Sequence, residues 1–330
     1  MPRILPKFLL IGAAVASLIL VLAQLSPWPS ALAIRVAMDS GGWLVNRELA
    51  RRVPAGLIEQ LNRQYAPGTG RERLDVFTPA AVAGGGQRPI GVWIHGGGFV
   101  AGSKEQVGNY ARILAGLGFT VVAVDYSLAP ERTYPAPLQE VNQALAYLQR
   151  ESGQLGLTSR RFVLAGDSAG ALLAAQLATI TTAPAYARRL GIVPALAPEE
   201  LAGVLLYCGP YDVHPLRRGD SPGWFLHTIL WAYFGRRDFA ADPLLPTLRV
   251  LDYVTGGFPP SYLSVGNADP LAPQSLSLAA KLRVLGVRVE TQFFDAGHAP
   301  ALGHEYQFNL DTAEGRETLH RSAQFLGALH

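Results

Sequence analysis

From residue 73 onward, short apolar runs bounded by Gly, Pro and Asp alternate with longer stretches of helical periodicity. Several runs are apolar on both faces, as the sequence Val-Val-Ala-Val at residues 121–124 shows. Such strands are typical of a parallel sheet that helices cover on both sides. The pattern therefore predicts an α/β fold with a doubly wound, mostly parallel sheet. The predicted strands are 73–77, 89–95, 119–126, 161–165, 203–207, 261–265 and 287–294.

The beginning of the chain has a different character. No residue between Lys7 and Arg35 is charged, and residues 8–25 form an almost unbroken apolar run. As a helix, this run is just long enough to cross a hydrocarbon core. The positive charges of Arg3 and Lys7 favour a cytoplasmic N-terminus. We therefore expect a single-pass membrane anchor whose following domain lies outside the cytoplasm.

This interpretation divides the chain into an anchor at residues 1–33 and one folded domain at residues 34–330. The alternative is a cleaved signal peptide, because the Ala-Leu-Ala pattern at residues 31–33 resembles a cleavage site. The protein would then be secreted. The apolar run is longer than a signal peptide normally has, which favours the retained anchor.

Two further segments stand apart from the strand pattern. Residues 34–64 have the periodicity of two short amphipathic helices, broken at Gly41 and Gly42. Residues 211–259 exceed an ordinary connection and are rich in aromatic residues, including Trp224 and Trp231. We expect the second segment to be a helical excursion that helps to cover the site, with plain core packing as the alternative.

Composition narrows the classes of partner. The 330 residues carry 28 Lys and Arg against 25 Asp and Glu, a formal charge of +3, and these residues are scattered along the chain. Because the basic residues form no cluster, we expect no nucleic-acid partner. The single cysteine, Cys208, cannot form an intrachain disulfide and ends an apolar run, which is typical of a buried thiol. An oligomeric state does not follow from the sequence.

The sequence Gly-Asp-Ser-Ala-Gly at residues 166–170 follows one predicted strand and opens an alanine- and leucine-rich helix. A serine at such a strand-to-helix turn has the position of a nucleophile, because the sharp turn exposes its hydroxyl. Flanking glycines let the backbone cross closely. We therefore identify Ser168 as the candidate nucleophile.

A second motif, His-Gly-Gly-Gly-Phe at residues 95–99, ends another predicted strand. A run of glycines lets backbone N–H groups point at one spot, as a developing oxyanion requires. The expected donors are the amides of Gly97, Gly98 and Ala169. The alternative, a phosphate-binding loop, lacks the following Gly-Lys-Ser/Thr and the dinucleotide spacing. His95 is expected to hold the loop rather than to act as a base. No cofactor or metal is implied.

Together these motifs resemble those of the hormone-sensitive-lipase-like esterases, the bacterial family IV branch of the α/β-hydrolases. Residues 125–131 and the nucleophile motif match family segments, and Asn-Ala-Asp-Pro-Leu at residues 267–271 looks like the family's acid motif. The resemblance covers most of the chain after Arg35. The resemblance is not complete. Ser127 replaces the family's usual arginine. The family's first antiparallel strand is expected to be shortened or absent near residues 65–72.

The acid and the base should follow the nucleophile in the chain. Asp269 has the favoured position just past a strand, with Asp212 as the alternative acid. For the base, His304 lies in a segment that looks like the family's His-Gly-Phe element, whereas His298 directly follows the last predicted strand. We expect His304 to be the base, with His298 as the alternative.

The resemblance implies an α/β-hydrolase fold with a helical cap built from residues of about 34–64 and 211–259. It also implies a serine carboxylesterase that acts on short- to medium-chain acyl esters, so the expected partner is a small-molecule ester. The alternatives are an amidase, formamidase or lactonase with the same three residues, or a non-catalytic binding protein on the same fold.

Overall fold

An eight-stranded sheet forms the centre of the fold. The structure is a computed structural model and describes residues 17–18, 21–80, 88–213 and 223–329. The strands are β1 (Leu57–Gln64), β2 (Arg73–Pro79), β3 (Ile90–Ile94), β4 (Val121–Val124), β5 (Phe162–Asp167), β6 (Leu201–Tyr207), β7 (Ser261–Ser264) and β8 (Val289–Gln292). The longer helices are α1 (Trp28–Leu49), α2 (Gly108–Gly116), α3 (Ala136–Arg150), α4 (Ser168–Thr182), α5 (Pro184–Leu190), α6 (Trp224–Phe234), α7 (Ala272–Val284) and α8 (Ala313–Gly327).

The strands are ordered β1-β2-β4-β3-β5-β6-β7-β8. β1 and β2 are antiparallel to their neighbours, whereas β4, β3, β5, β6, β7 and β8 pair in parallel. All residues of β3 to β7 are buried, because helices cover both faces. Val92 and Ile94 face one apolar core and Trp93 faces the other. The doubly wound, mostly parallel α/β sheet and every strand predicted from residue 73 onward are confirmed.

The strand at the sheet edge was not predicted. Residues 57–64 were expected to be helical and the family's first strand to be shortened, but β1 has eight residues and pairs antiparallel with β2. Its alternation is interrupted by a register shift between Gln60 and Arg63, where Asn62 has a φ of 55°. A bulge at an exposed edge removes the period of two, so the segment loses the usual signature of a strand.

The predicted break at Gly41 and Gly42 is also wrong. α1 continues through both residues as a helix of 22 residues. A Cβ at Gly42 would overlap the side chain of Gln106, whereas nothing lies within 4 Å of a Cβ at Gly41. Gly42 therefore allows α1 to pack closely on the loop before α2 and does not end the helix.

Arg35 fastens α1 to the body of the domain. Its guanidinium donates to the carboxylate of Glu131 at 2.6 Å and to the carbonyl oxygens of Ala129 and Val100 at 2.9 and 2.5 Å. Its side chain is only 15% exposed. This clamp holds α1 over the carboxyl ends of the central strands.

The predicted anchor, residues 8–25, lies mostly outside the described residues. Of the helices in the described ranges, none combines the length and apolar character needed for a bilayer crossing. The alternative cleavage pattern at residues 31–33 lies within α1, as does the predicted domain boundary. The membrane segment and the extracytoplasmic location remain predictions from the sequence.

The described part of residues 211–259 contains α6 and several short 3₁₀ turns. Ile229 of α6 and Met38 of α1 both approach the position that a Cβ of Gly98 would occupy, at 2.9 and 4.0 Å. Phe99 stacks on Tyr233 of α6 with ring centroids 4.0 Å apart. The two segments expected to form a cap thus supply helices above the glycine loop.

A buried lysine supports the bulge in β1. Lys104 is 1% exposed and its Nζ donates to Asp75 of β2 at 3.1 Å and to Oδ1 of Asn62 at 2.9 Å. The other oxygen of Asp75 accepts the backbone N–H of Asn62 at 2.7 Å. Lys104 also pairs with the adjacent Glu105, and its ion pair with Asp75 connects β2 and the bulge of β1 to the loop that follows the glycines.

Replacing Lys104 with Met should lower the free energy of unfolding by about 3–5 kcal/mol, because it leaves the buried Asp75 carboxylate without its cation. Urea denaturation measures the change, and Lys281→Met, on an exposed position of α7, is the control with an effect below about 0.5 kcal/mol. Equal losses in both variants would contradict this role of Lys104.

Candidate active site

Ser168 lies at the sharp turn between β5 and α4. Its φ is 49°, a left-handed conformation that is rare for residues with a side chain. Glycine is required on both sides of the turn. A Cβ at Gly166 would lie 2.7 Å from the carbonyl oxygen of Ile94, and a Cβ at Gly170 would overlap the same oxygen. The turn therefore holds the Ser168 hydroxyl at the carboxyl end of the sheet, beside the end of β3.

Ser168, His304 and Asp269 form a continuous chain of hydrogen bonds. Nε2 of His304 lies 2.9 Å from Oγ of Ser168, and Nδ1 lies 2.8 Å from Oδ2 of Asp269. The Asp269 side chain is fully buried, and its other oxygen accepts the backbone N–H of Leu271 at 2.8 Å. A carboxylate on Nδ1 favours the tautomer that leaves Nε2 free to accept the serine proton.

Asn267 joins the loop that carries Asp269 to the loop that carries His304. Its side-chain amide donates to the carbonyl oxygen of His298 at 3.0 Å and accepts the N–H of Leu302 at 2.9 Å. These loops follow β7 and β8, whose carboxyl ends lie at one edge of the sheet. The parallel arrangement thus brings together residues that are far apart in the chain.

The surroundings of His304 stabilise the protonated form of its ring. Burial opposes protonation, but the hydrogen bond to the Asp269 carboxylate, together with Cys208 and Glu305, outweighs it and raises the pKa of His304 above its ordinary value. A positive charge that develops on this ring is therefore stabilised.

The glycine loop adopts backbone conformations that few other residues allow. Gly97 and Gly98 have φ values of 111° and 58°. A Cβ at Gly97 would overlap the carbonyl oxygen of Ala101, whose own N–H donates to the Gly97 carbonyl at 2.9 Å. Within the described part of the chain, the N–H groups of Gly97 and Gly98 donate to no other backbone group. The loop therefore keeps these donors available next to the Ser168 turn.

His95 holds the loop and lies away from the proton-transfer chain. It is 1% exposed, its ring stacks on Tyr126 at a centroid distance of 4.3 Å, and Nδ1 lies 2.7 Å from the Gly96 carbonyl oxygen. Burial lowers the pKa of His95 to about 4, so the ring is neutral. A neutral, enclosed ring suits the structural role expected from the sequence.

The two alternative candidates lie elsewhere. Asp212 pairs with Arg249 at 3.2 Å, and its N–H donates to Gln274 at 2.7 Å. His298 has Nε2 3.2 Å from Glu314 of α8. The structure therefore brings Asp269 and His304 to Ser168 and places Asp212 and His298 in other ion pairs.

Two neighbours of His304 were missed in the sequence. Cys208, at the end of β6, offers a sulfur that lies within 4.8 Å of ligand atoms of Asp269 and His304. Both ring nitrogens of His304 already have hydrogen-bond partners, so we assign no metal to this group. Glu305 has Oε1 at 3.8 Å from Nε2 of His304. Its place directly after the histidine was the available signal.

Two cavities flank the site, with volumes of about 700 and 340 Å³. Val45 and Leu49 of α1 and Glu305 line both, and His304 lines the larger one. The smaller cavity reaches Gly97 of the glycine loop. α1 therefore forms a largely apolar wall shared by both cavities.

Comparison with known proteins agrees with this geometry. A family profile described as an alpha/beta hydrolase fold matches residues 91–300. An esterase of Gibberella moniliformis is 27% identical over 68% of this chain and 68% of its own length. The carboxylesterase NlhH of Mycobacterium tuberculosis is 30% identical over 66% of each chain. In two further esterase relatives, the match with this chain spans 61% of the relative's own length.

Among solved structures, esterase B of Lactobacillus rhamnosis superposes with a TM-score of 0.78. The match covers 91% of this chain and 96% of that protein, at 24% sequence identity. At this identity the likeness establishes the fold alone.

The contact with Asp269 predicts a measurable titration. Since a raised pKa means that the ring keeps its proton to higher pH, His304 should titrate above the ordinary histidine value in an ¹⁵N NMR titration. Asp269→Asn should lower the His304 pKa by at least about one unit. Assignment uses His304→Ala and His298→Ala. An unaltered His304 pKa in Asp269→Asn would contradict the hydrogen-bonded chain.

Proposed function

Because the chain belongs to the alpha/beta hydrolase fold family, we propose that it hydrolyses carboxylic esters. Ser168 is the nucleophile, His304 is the general base, and Asp269 is the acidic residue that orients His304. The expected kinship with hormone-sensitive-lipase-like esterases and the class of carboxylesterase-type hydrolases are confirmed by the family match and the esterase relatives. The observation that carries the finer proposal is the 2.9 Å contact between Nε2 of His304 and Oγ of Ser168.

The first half of the reaction transfers the acyl group to the enzyme. His304 accepts the Ser168 proton at Nε2 while Oγ forms a bond to the ester carbonyl carbon. Asp269 holds the ring and stabilises its positive charge. The imidazolium then gives this proton to the departing alcohol oxygen, and an ester to Ser168 remains.

The backbone amides of Gly97, Gly98 and Ala169 are proposed to hold the negative oxygen of each tetrahedral intermediate. Ala169 follows the nucleophile in the first turn of α4, where amides have no intrahelical acceptor. Such preorganised donors supply a large share of the rate in acyl transfer. This support comes from the loop conformation and its place beside the Ser168 turn.

The second half returns the enzyme to its starting state. His304 removes a proton from a water molecule, whose oxygen attacks the acyl carbon, and the proton then passes to Oγ of Ser168. The carboxylic acid leaves. We assign the acyl and alcohol groups to the two cavities beside the site, and short to medium acyl chains stay the expectation from the sequence.

Ester hydrolysis should require Ser168 and His304 and should not require the alternative base, His298. We expect Ser168→Ala and His304→Ala to lose at least about a thousand-fold in kcat/KM on p-nitrophenyl butyrate. His298→Ala, the matched control, should change it less than about threefold. A fluorophosphonate should label Ser168 in the wild type.

Full activity of His304→Ala, or loss in His298→Ala without loss of fold, would contradict the assignment of the base. Equal rates on matched ester and amide substrates would favour the amidase alternative. No phosphonate adduct on the folded protein would favour a binding function.

The wall formed by α1 should set the acyl range. Val45→Phe adds volume where both cavities meet, so activity on octanoate relative to acetate esters should fall about tenfold. Val36→Phe is the control, since Val36 lies on the same helix and is 68% exposed. A chain-length series of p-nitrophenyl esters measures both ratios. Equal ratios in both variants would place the acyl group elsewhere.

A further inference from the structure

Glu305 occupies a backbone position that favours glycine. Its φ is 59°, in the left-handed region, where a side chain lowers stability relative to glycine. It directly follows His304, and the residue is only half-buried, with its side chain 36% exposed. Non-glycine residues held in this conformation concentrate at functional sites, so the position calls for a physical account.

The carboxyl group of Glu305 lies beside the reacting nitrogen of His304. Oε1 is 3.8 Å from Nε2, the ring atom that faces Ser168 Oγ at 2.9 Å. Asp269 contacts the opposite ring nitrogen, Nδ1, at 2.8 Å. The ring therefore has a carboxyl group on each side.

Glu305 lies beside a second carboxyl group, that of the buried Asp167, the residue before the nucleophile. Oε1 of Glu305 lies 3.1 Å from the position that a Cβ of Gly96 would occupy, and Oδ2 of Asp167 would overlap that Cβ. Asp167 accepts the indole N–H of Trp93 and the backbone N–H of Gly96, each at 2.8 Å. Two neighbouring carboxyl groups favour a state that keeps one proton between them, because like charges close together repel. Burial raises the pKa of both groups, which agrees with one retained proton.

Among the residues that the structure describes, the surrounding side chains supply no unpaired Lys or Arg to the carboxyl groups of Glu305 and Asp167. Their negative charge therefore acts on His304. In the described part of the chain, the smaller cavity is lined by no Lys or Arg, and its His95 is neutral. On the side of the larger cavity, Arg51 and Arg52 both pair with Asp311. The ionisable groups facing the pair from all packed elements are Glu48, Arg51, Arg52, His95, Cys208, Asp269, His304 and Asp311.

We propose that Glu305 is a second carboxyl partner of His304, which stabilises the imidazolium that forms when Ser168 gives up its proton. This inference rests on the proposed ester hydrolysis. The proton moves from Oγ of Ser168 to Nε2 of His304 and on to the leaving oxygen. Glu305 takes no proton in these steps and acts through its charge, so it is a positioning residue. Its shared proton with Asp167 limits the negative charge near the glycine loop to one.

The test compares Glu305→Gln with Glu314→Gln, a matched control in which another glutamate contacts a histidine, His298, at 3.2 Å. The glutamine keeps the size of the side chain and removes its negative charge from beside Nε2 of His304. The pKa of His304, from ¹⁵N NMR, should fall by about 0.5 to 1 unit. The acid limb of kcat/KM should move to lower pH by the same amount.

The plateau of kcat on a short aryl ester should fall about three- to tenfold in Glu305→Gln, with KM unchanged. Glu314→Gln should leave the His304 pKa and kcat as in the wild type. A purely structural role for Glu305 would reduce stability without moving the His304 titration.

Glu305→Gly serves if the glutamine variant folds poorly, because glycine suits the φ of this position. It should raise the midpoint of thermal unfolding while lowering kcat, so stability and activity move in opposite directions. An unchanged His304 pKa and an unchanged kcat plateau in either folded variant would overturn the inference. The NMR titration requires no turnover, so an inactive wild type would count against the proposed function and leave the Glu305 result decisive on its own.

Discussion

The contact between the β5–α4 turn and the end of β3 determines the geometry of the site. Only glycine fits at Gly170, where a side chain would overlap the carbonyl oxygen of Ile94. This approach puts the Ser168 hydroxyl next to the loop that begins at Gly96, and it lets the carboxylate of Asp167 accept the Gly96 N–H. One steric constraint thus sets the nucleophile, the amide donors and the buried carboxyl group in a fixed relation.

The parallel sheet then supplies what a single loop could not. Ser168 and His304 are 136 positions apart in sequence, and Asp269 lies 35 positions before His304. They meet because the loops after β5, β7 and β8 leave the sheet at the same edge. Asn267 couples two of these loops through its side-chain amide. The parallel strands therefore bring the loops that carry this hydrogen-bonded chain together at one edge of the sheet.

Local signals in the sequence were sufficient for the parallel strands, the Ser168 turn and the glycine loop, because each depends on a few adjacent residues. β1 was not predicted because a bulge at Asn62 interrupts the two-residue alternation of side chains along the strand. The choice between His304 and His298 depends on how the loop after β8 folds, which spacing alone does not determine. The carboxyl groups of Glu305 and Asp167 both lie beside Gly96, and no local pattern in the sequence encodes this proximity.

Different residues of α1 attach the helix to the domain and line the cavities. Arg35 secures the helix to the backbone near the glycine loop, while Val45 and Leu49 face the cavities. None of these residues takes part in proton transfer. Substrate range can therefore diverge by substitutions on one turn of a peripheral helix, as during evolution after gene duplication or in a directed library, while the reaction centre at the strand ends keeps its geometry.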